Sequence, residues 1–183
     1  MPFIMKNPII MLLVYLMCSF TSFGQHSEPI SVSYDKFKDF TAIHSSYLPL
    51  PSAGKFAALY PEVSISFGCG FSGKTPGKMA DFILAFQSYA DKWRFLAKDD
   101  RDMILIADDY RLQFNEAFHS GDVITGSRGV KVSELVIFHL TPDQIGKIVA
   151  AKSVELQLSV MEASFDETHQ TRLRDVMALC SQK

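Results

Sequence analysis

The chain is poor in residues arranged for chemistry. It has five histidines but no His-x-His or HExxH, and three cysteines but no Cys-x-x-Cys, so no metal-ligand spacing is present. No G-x-S-x-G elbow accompanies His44, Ser45 and Ser46, and neighbours in sequence do not make a triad. Asp99, Asp100 and Asp102 lack the EF-hand pattern and alternate with cations, Lys98 and Arg101, as a solvated turn does. Charge is nearly balanced, with 18 Lys and Arg against 20 Asp and Glu and no basic stripe. A nucleic-acid or anionic-membrane partner is therefore not expected. Low-complexity runs, internal repeats and long Pro/Gly/Ser linkers are also missing, which leaves one domain. No cofactor is implied.

What the chain does have is a three-part N-terminus. Lys6 precedes the apolar run Pro8–Cys18, and a small, polar stretch then ends in Ser22-Phe23-Gly24. That order is the pattern of a secretory signal peptide, with cleavage expected between Gly24 and Gln25. The run falls short of the ~20 residues that a membrane span needs, so none is expected once the signal is removed. Residues 25–183 then form a single exported globular domain, periplasmic or extracellular, of 159 residues and net charge −3. A chain of ~150 residues buries about 68–70% of its unfolded surface, enough for a real core. Cys18 follows Met17 rather than a small residue, which suits lipidation poorly, and is expected to leave with the signal. Cys69 and Cys180 are then either a disulfide, which an oxidising compartment permits, or two buried thiols.

The C-terminal third has the clearest pattern. Thr141-Pro142-Asp143-Gln144 predicts a helix start, with Thr as N-cap, Pro in the first turn and Gln closing a capping box. Val154, Leu156, Leu158 and Val160 alternate with polar neighbours as a half-buried strand does. Asp166 then caps a last helix carrying Leu173, Val176, Met177 and Cys180 at helical spacing. Upstream, Met103–Ala107 and Tyr110–Phe114 predict a hairpin through Asp108-Asp109. Val132–Leu140 is a strand, Val63–Phe67 and parts of Val32–Leu48 are further candidates, and His119–Gly129 is an exposed glycine-bearing loop.

Residues 79–97 admit two readings. Met79, Phe82, Ile83, Phe86, Ala90 and Trp93 would line a helix, but aromatic and branched enrichment favours strand, turn and strand, with Asp91-Lys92 as the turn. The fold class that follows is α+β, a mainly antiparallel sheet of hairpins with two C-terminal helices flanking a strand.

The segments Trp93-Arg94-Phe95-Leu96, Asp108-Asp109-Tyr110-Arg111-Leu112 and Ala151-Lys152-Ser153-Val154-Glu155 resemble a pattern in small exported bacterial proteins of unknown function. The resemblance covers about residues 80–160. It implies strands over 80–97 and no activity.

Gly68-Cys69-Gly70-Phe71-Ser72-Gly73-Lys74-Thr75 matches the P-loop pattern at every specified position, Gly68, Gly73, Lys74 and Thr75. In that motif backbone amides wrap phosphates, the lysine reaches the terminal phosphates and the hydroxyl ligates magnesium. Met103–Asp108 even supplies an apolar strand ending in a carboxylate. Against it stand export to compartments poor in nucleotide, Pro76-Gly77 where a helix should open, and hairpins where a parallel sheet is required. An ordinary loop between two strands is the simpler expectation. The function expected is a non-catalytic binding or accessory domain whose partner is an envelope or extracellular protein. The alternatives are an enzyme whose site assembles from distant residues, and a P-loop nucleotide-binding protein.

Overall fold

The computed structural model describes residues 29–54, 62–75, 81–126 and 129–181, so the expected signal segment and its cleavage point at Gly24 and Gln25 lie outside the described residues. Among the described residues, two antiparallel sheets and two α-helices make up an α+β fold. The larger sheet contains β1 (Ile30–Asp35), β2 (Phe40–Ser45), β3 (Leu48–Pro49), β4 (Val63–Ser72), β5 (Asp81–Ala90), β8 (Phe118–Gly126) and β9 (Gly129–Leu140). Its order is β1-β2-β4-β5-β9-β8, with the short β3 also paired to β4. The smaller sheet runs β11-β10-β6-β7, from β6 (Met103–Ala107), β7 (Tyr110–Phe114), β10 (Val154–Leu158) and β11 (Met161–Ser164).

The period-2 pattern decides which face each strand buries. Ile65, Phe67, Cys69 and Phe71 on β4 join Phe82, Leu84 and Phe86 on β5 and Val136, Phe138 and Leu140 on β9. The inward residues of the smaller sheet, among them Leu105, Leu156 and Leu158, belong to the same core. A smaller cluster on the other face of the large sheet gathers Phe40, Ala42, Ile83, Ala85, Leu135 and Ile137.

Both helices pack on the main core. The first, α1 (Pro142–Ala150), begins at a complete capping box: Gln144 N–H donates to Thr141 Oγ1, and Thr141 N–H donates to the Gln144 side chain. Such a cap contributes about 1 kcal/mol, and Ile145 and Ile148 supply the buried side of the helix. The second, α2 (Glu167–Cys180), is capped by Asp166, whose carboxylate accepts His169 N–H. That amide, at the positive end of the helix, holds the Asp166 carboxyl below the usual range.

Three expectations are corrected. Residues 81–90 are one strand, and Trp93–Leu96 does not return as a second. Both sides of β5 are already taken, by β4 and β9, so no edge remains for it to join. Phe95 instead plugs the main core, and the Arg101 side chain donates to the carbonyls of Phe95, Leu96 and Ala97 to hold the loop. The expected loop His119–Gly129 is mostly β8, which runs antiparallel to β9 from Phe118↔Ile137 to Gly126↔Gly129. The strand expected through Val160 turns at Ser159, which takes φ +55°, and continues as the hairpin β10–β11.

Candidate functional site

The P-loop pattern does not form a loop. Gly68 to Ser72 lie inside β4, in register with β2 on one side, and through Gly70 with β5 on the other. Backbone amides engaged in two ladders are not free to wrap a phosphate. Gly73 begins the exit turn with φ +86°, its N–H donating to Asp39 O while its carbonyl accepts Thr41 Oγ1–H. Lys74 Nζ sits over the Tyr34 ring at 5.1 Å from its centroid, and Thr75 follows in the same bend. The carboxylate expected as the second half of a nucleotide site, Asp108, accepts the N–H groups of Lys152 and Ser153 and the Ser153 hydroxyl instead. These donors hold its carboxyl below the usual range, the Ser153 amide contributing most. Both the nucleotide reading and the ordinary-loop reading expected a loop from Gly68, whereas residues 68–72 are central strand and only Gly73, Lys74 and Thr75 lie in a bend beyond it.

Cys69 and Cys180 are joined as a disulfide, with Cα atoms 6.4 Å apart. It fastens the last turn of α2 to the middle of β4.

The four described histidines, His44, His119, His139 and His169, do not converge. His44 and His139 share one row across the large sheet, but Gly68 and Ile83 stand between them. Three strand spacings separate them, about 14 Å. His139 Nδ1 lies 3.1 Å from Asp81 Oδ2, and burial pushes the His44 imidazole below its ordinary value. His169 bonds the Pro49 carbonyl through Nε2. Among the described residues no group of three or more His, Cys, Asp or Glu is placed to hold a metal.

His119 is held elsewhere, against Glu134. That glutamate is 1% exposed although it stands on the core-facing row of β9 with Val132 and Val136. Its carboxylate accepts Arg94 N–H at 2.6 Å and Phe95 N–H at 2.9 Å, with His119 Nε2 at 3.1 Å. Three donors around one buried carboxylate offset its desolvation. Trp93 closes the cluster, edge-on to the His119 ring and directly over Gly121, where a Cβ would collide with the indole.

This cluster braces β8, an end strand of the large sheet, whose outer side pairs with no described strand. Beyond Gly121 the β8–β9 hairpin leaves the core, and Val123, Ile124 and Val130 are exposed by 51%, 46% and 56%. An open edge with exposed β-branched residues is the surface that natural sheets usually guard. Here the guard is slight: Asp122 Oδ1 accepts Val123 N–H, and Lys131 pairs with Asp91 at 2.7 Å. The edge can add a strand, main chain to main chain, with side-chain contacts to either face.

Sequence reading missed this edge because Gly121, Gly126 and Gly129 look like loop residues. The usable signal was the alternation through Val123 and Thr125 and the two residues between Gly126 and Gly129. Glu134 was signalled too, as a lone acid on the apolar face of a strand. Compared with known proteins, the chain matches no family model, no curated protein and no solved structure.

Proposed function

We propose that the protein is an exported, non-catalytic binding domain that holds an envelope or extracellular protein along the β8 edge. The observation that carries this reading is the open side of β8, with Val123, Ile124 and Val130 exposed on the hairpin it shares with β9. Val123 and Val130 lie on one face of the hairpin and Ile124 on the other, so a strand added at this edge would find an apolar contact on both faces. The Glu134–His119–Trp93 cluster supports the reading by tying β8 and β9 to the loop after β5, so the base of the edge is preformed and less ordering is needed on binding.

The test is capture from solubilised envelope with the mature chain as bait, beside Ile124→Lys. A protein retained by the wild type and lost from Ile124→Lys supports the reading. Repeated capture of nothing, alongside turnover in a substrate panel, would favour the enzyme. Mass measurement of the native protein tests export: a product beginning at Gln25 is expected, and retention of Met1 to Gly24 would contradict cleavage.

A further inference from the structure

The opposite end of the large sheet carries a second exposed surface of different chemistry. The turn between β1 and β2, residues 36–39, projects Phe37, which is 89% exposed and the most exposed large apolar side chain described. Val32 and Tyr34, two residues apart on β1, extend the apolar surface along the strand. Three lysines border it. Lys36 and Lys38 flank Phe37, and Lys74 arrives from the end of β4, a connection that sequence distance conceals. Lys36 Nζ lies 4.9 Å from the Phe37 ring centroid and Lys74 Nζ lies over Tyr34.

The two acids of the turn are engaged in building it. Asp35 Oδ1 accepts the N–H groups of Phe37 and Lys38, and Asp35 Oδ2 pairs with Lys38 Nζ at 3.8 Å. Asp39 accepts the Tyr34 hydroxyl. The turn is therefore preformed, with an aromatic side chain at its tip and ammonium groups around it.

We propose that this tip docks on an anionic membrane surface. Phe37 enters the boundary between headgroups and acyl chains, Tyr34 lies at headgroup level, and Lys36, Lys38 and Lys74 meet lipid phosphates. Aromatic rings favour that interface and lysines are drawn to its negative potential. The argument is charge complementarity around a solvent-exposed aromatic: the three lysines outnumber the two carboxylates, Asp35 and Asp39, with Lys36 and Lys74 turned to the aromatic rings and Lys38 shared with Asp35, so a cationic rim with an apolar tip meets a surface that is anionic outside and apolar beneath. A chain with overall net charge −2 hides this patch, because its lysines come from two separate segments. Contact is peripheral, since one aromatic side chain enters and no element crosses.

Co-sedimentation of the mature protein with vesicles tests the proposal. Vesicles of phosphatidylglycerol and phosphatidylethanolamine are compared with phosphatidylcholine alone, using wild type, Phe37→Ser, Lys36→Gln/Lys74→Gln and Ile124→Lys. Retention on the anionic vesicles is expected, about tenfold weaker for Phe37→Ser, reduced by added salt and for the double lysine variant, and unchanged for Ile124→Lys. All the substituted side chains are exposed, so melting curves matching the wild type confirm folding. No retention, retention indifferent to Phe37→Ser, or loss with Ile124→Lys alone would overturn the proposal. So would capture by soluble polyglutamate in preference to vesicles, since an acidic polypeptide would then be the partner.

Discussion

The Glu134 carboxylate and the His119 imidazole lie 3.1 Å apart on neighbouring strands, sealed beneath Trp93. The same carboxylate receives the amides of Arg94 and Phe95, so one side chain ties the loop after β5 to the β8–β9 pair. Glu134→Gln keeps the shape but turns an amide N–H toward donors, leaving at least one buried group unsatisfied. A loss of about 1–3 kcal/mol is expected. Urea unfolding followed through Trp93, the sole tryptophan, measures it directly.

Gly121 is required by contact rather than by backbone conformation, because the Trp93 ring occupies the place of a Cβ. Gly121→Ala should push the indole outward at a cost of about 1–3 kcal/mol, as overpacking does. A red shift of tryptophan emission with an otherwise folded spectrum is the expected result. An unchanged emission maximum would mean that the ring is not seated there.

The Cys69–Cys180 bond closes a long loop, with a sequence separation of 111. In the chain-entropy account such closure contributes about 4–5 kcal/mol. Cys69→Ala/Cys180→Ala should lower the denaturation midpoint accordingly. Thiol counting on the mature protein in denaturant without reductant should find no free thiol, and two would rule out the bond.

Asp108 gives the fold a pH dependence of known sign. Its carboxyl titrates lower when folded than the ordinary aspartate value of about 3.9, because the Ser153 and Lys152 amides bond its charged form. The stabilisation is present above the unfolded value and is lost as pH falls through the folded one. Asp108→Asn suits the positive φ of +49° but removes the charge. It should therefore melt below the wild type at pH 7, with the gap closing as both are acidified below about pH 4. A gap independent of pH would contradict the assignment.

Much of the smaller sheet and both helices could be read from local chemistry. Thr141 and Asp166 cap the helices as their side chains dictate, and Asp108-Asp109 turns the β6–β7 hairpin, because these signals act within a few residues. Residues 68–72 and 93–97 could not be read that way. Gly68 and Gly70 look like loop residues until β2 and β5 flank them, and Trp93–Leu96 looks like a strand until β9 takes the side of β5 that it needed. In both places pairing with a distant segment decided between local options of similar merit. The β8 edge was hidden for the same reason, since its partner β9 supplies the regularity that its glycines obscure.

Hydrogen exchange across Phe118–Gly126 tests the central proposal most directly. In the free mature protein, the outward-facing amides of β8 should exchange rapidly while those bonded to β9 are protected. In the captured complex the outward set should slow by about tenfold or more, as an added strand would require. Unchanged exchange on β8, with new protection confined to the helices or the smaller sheet, would contradict it.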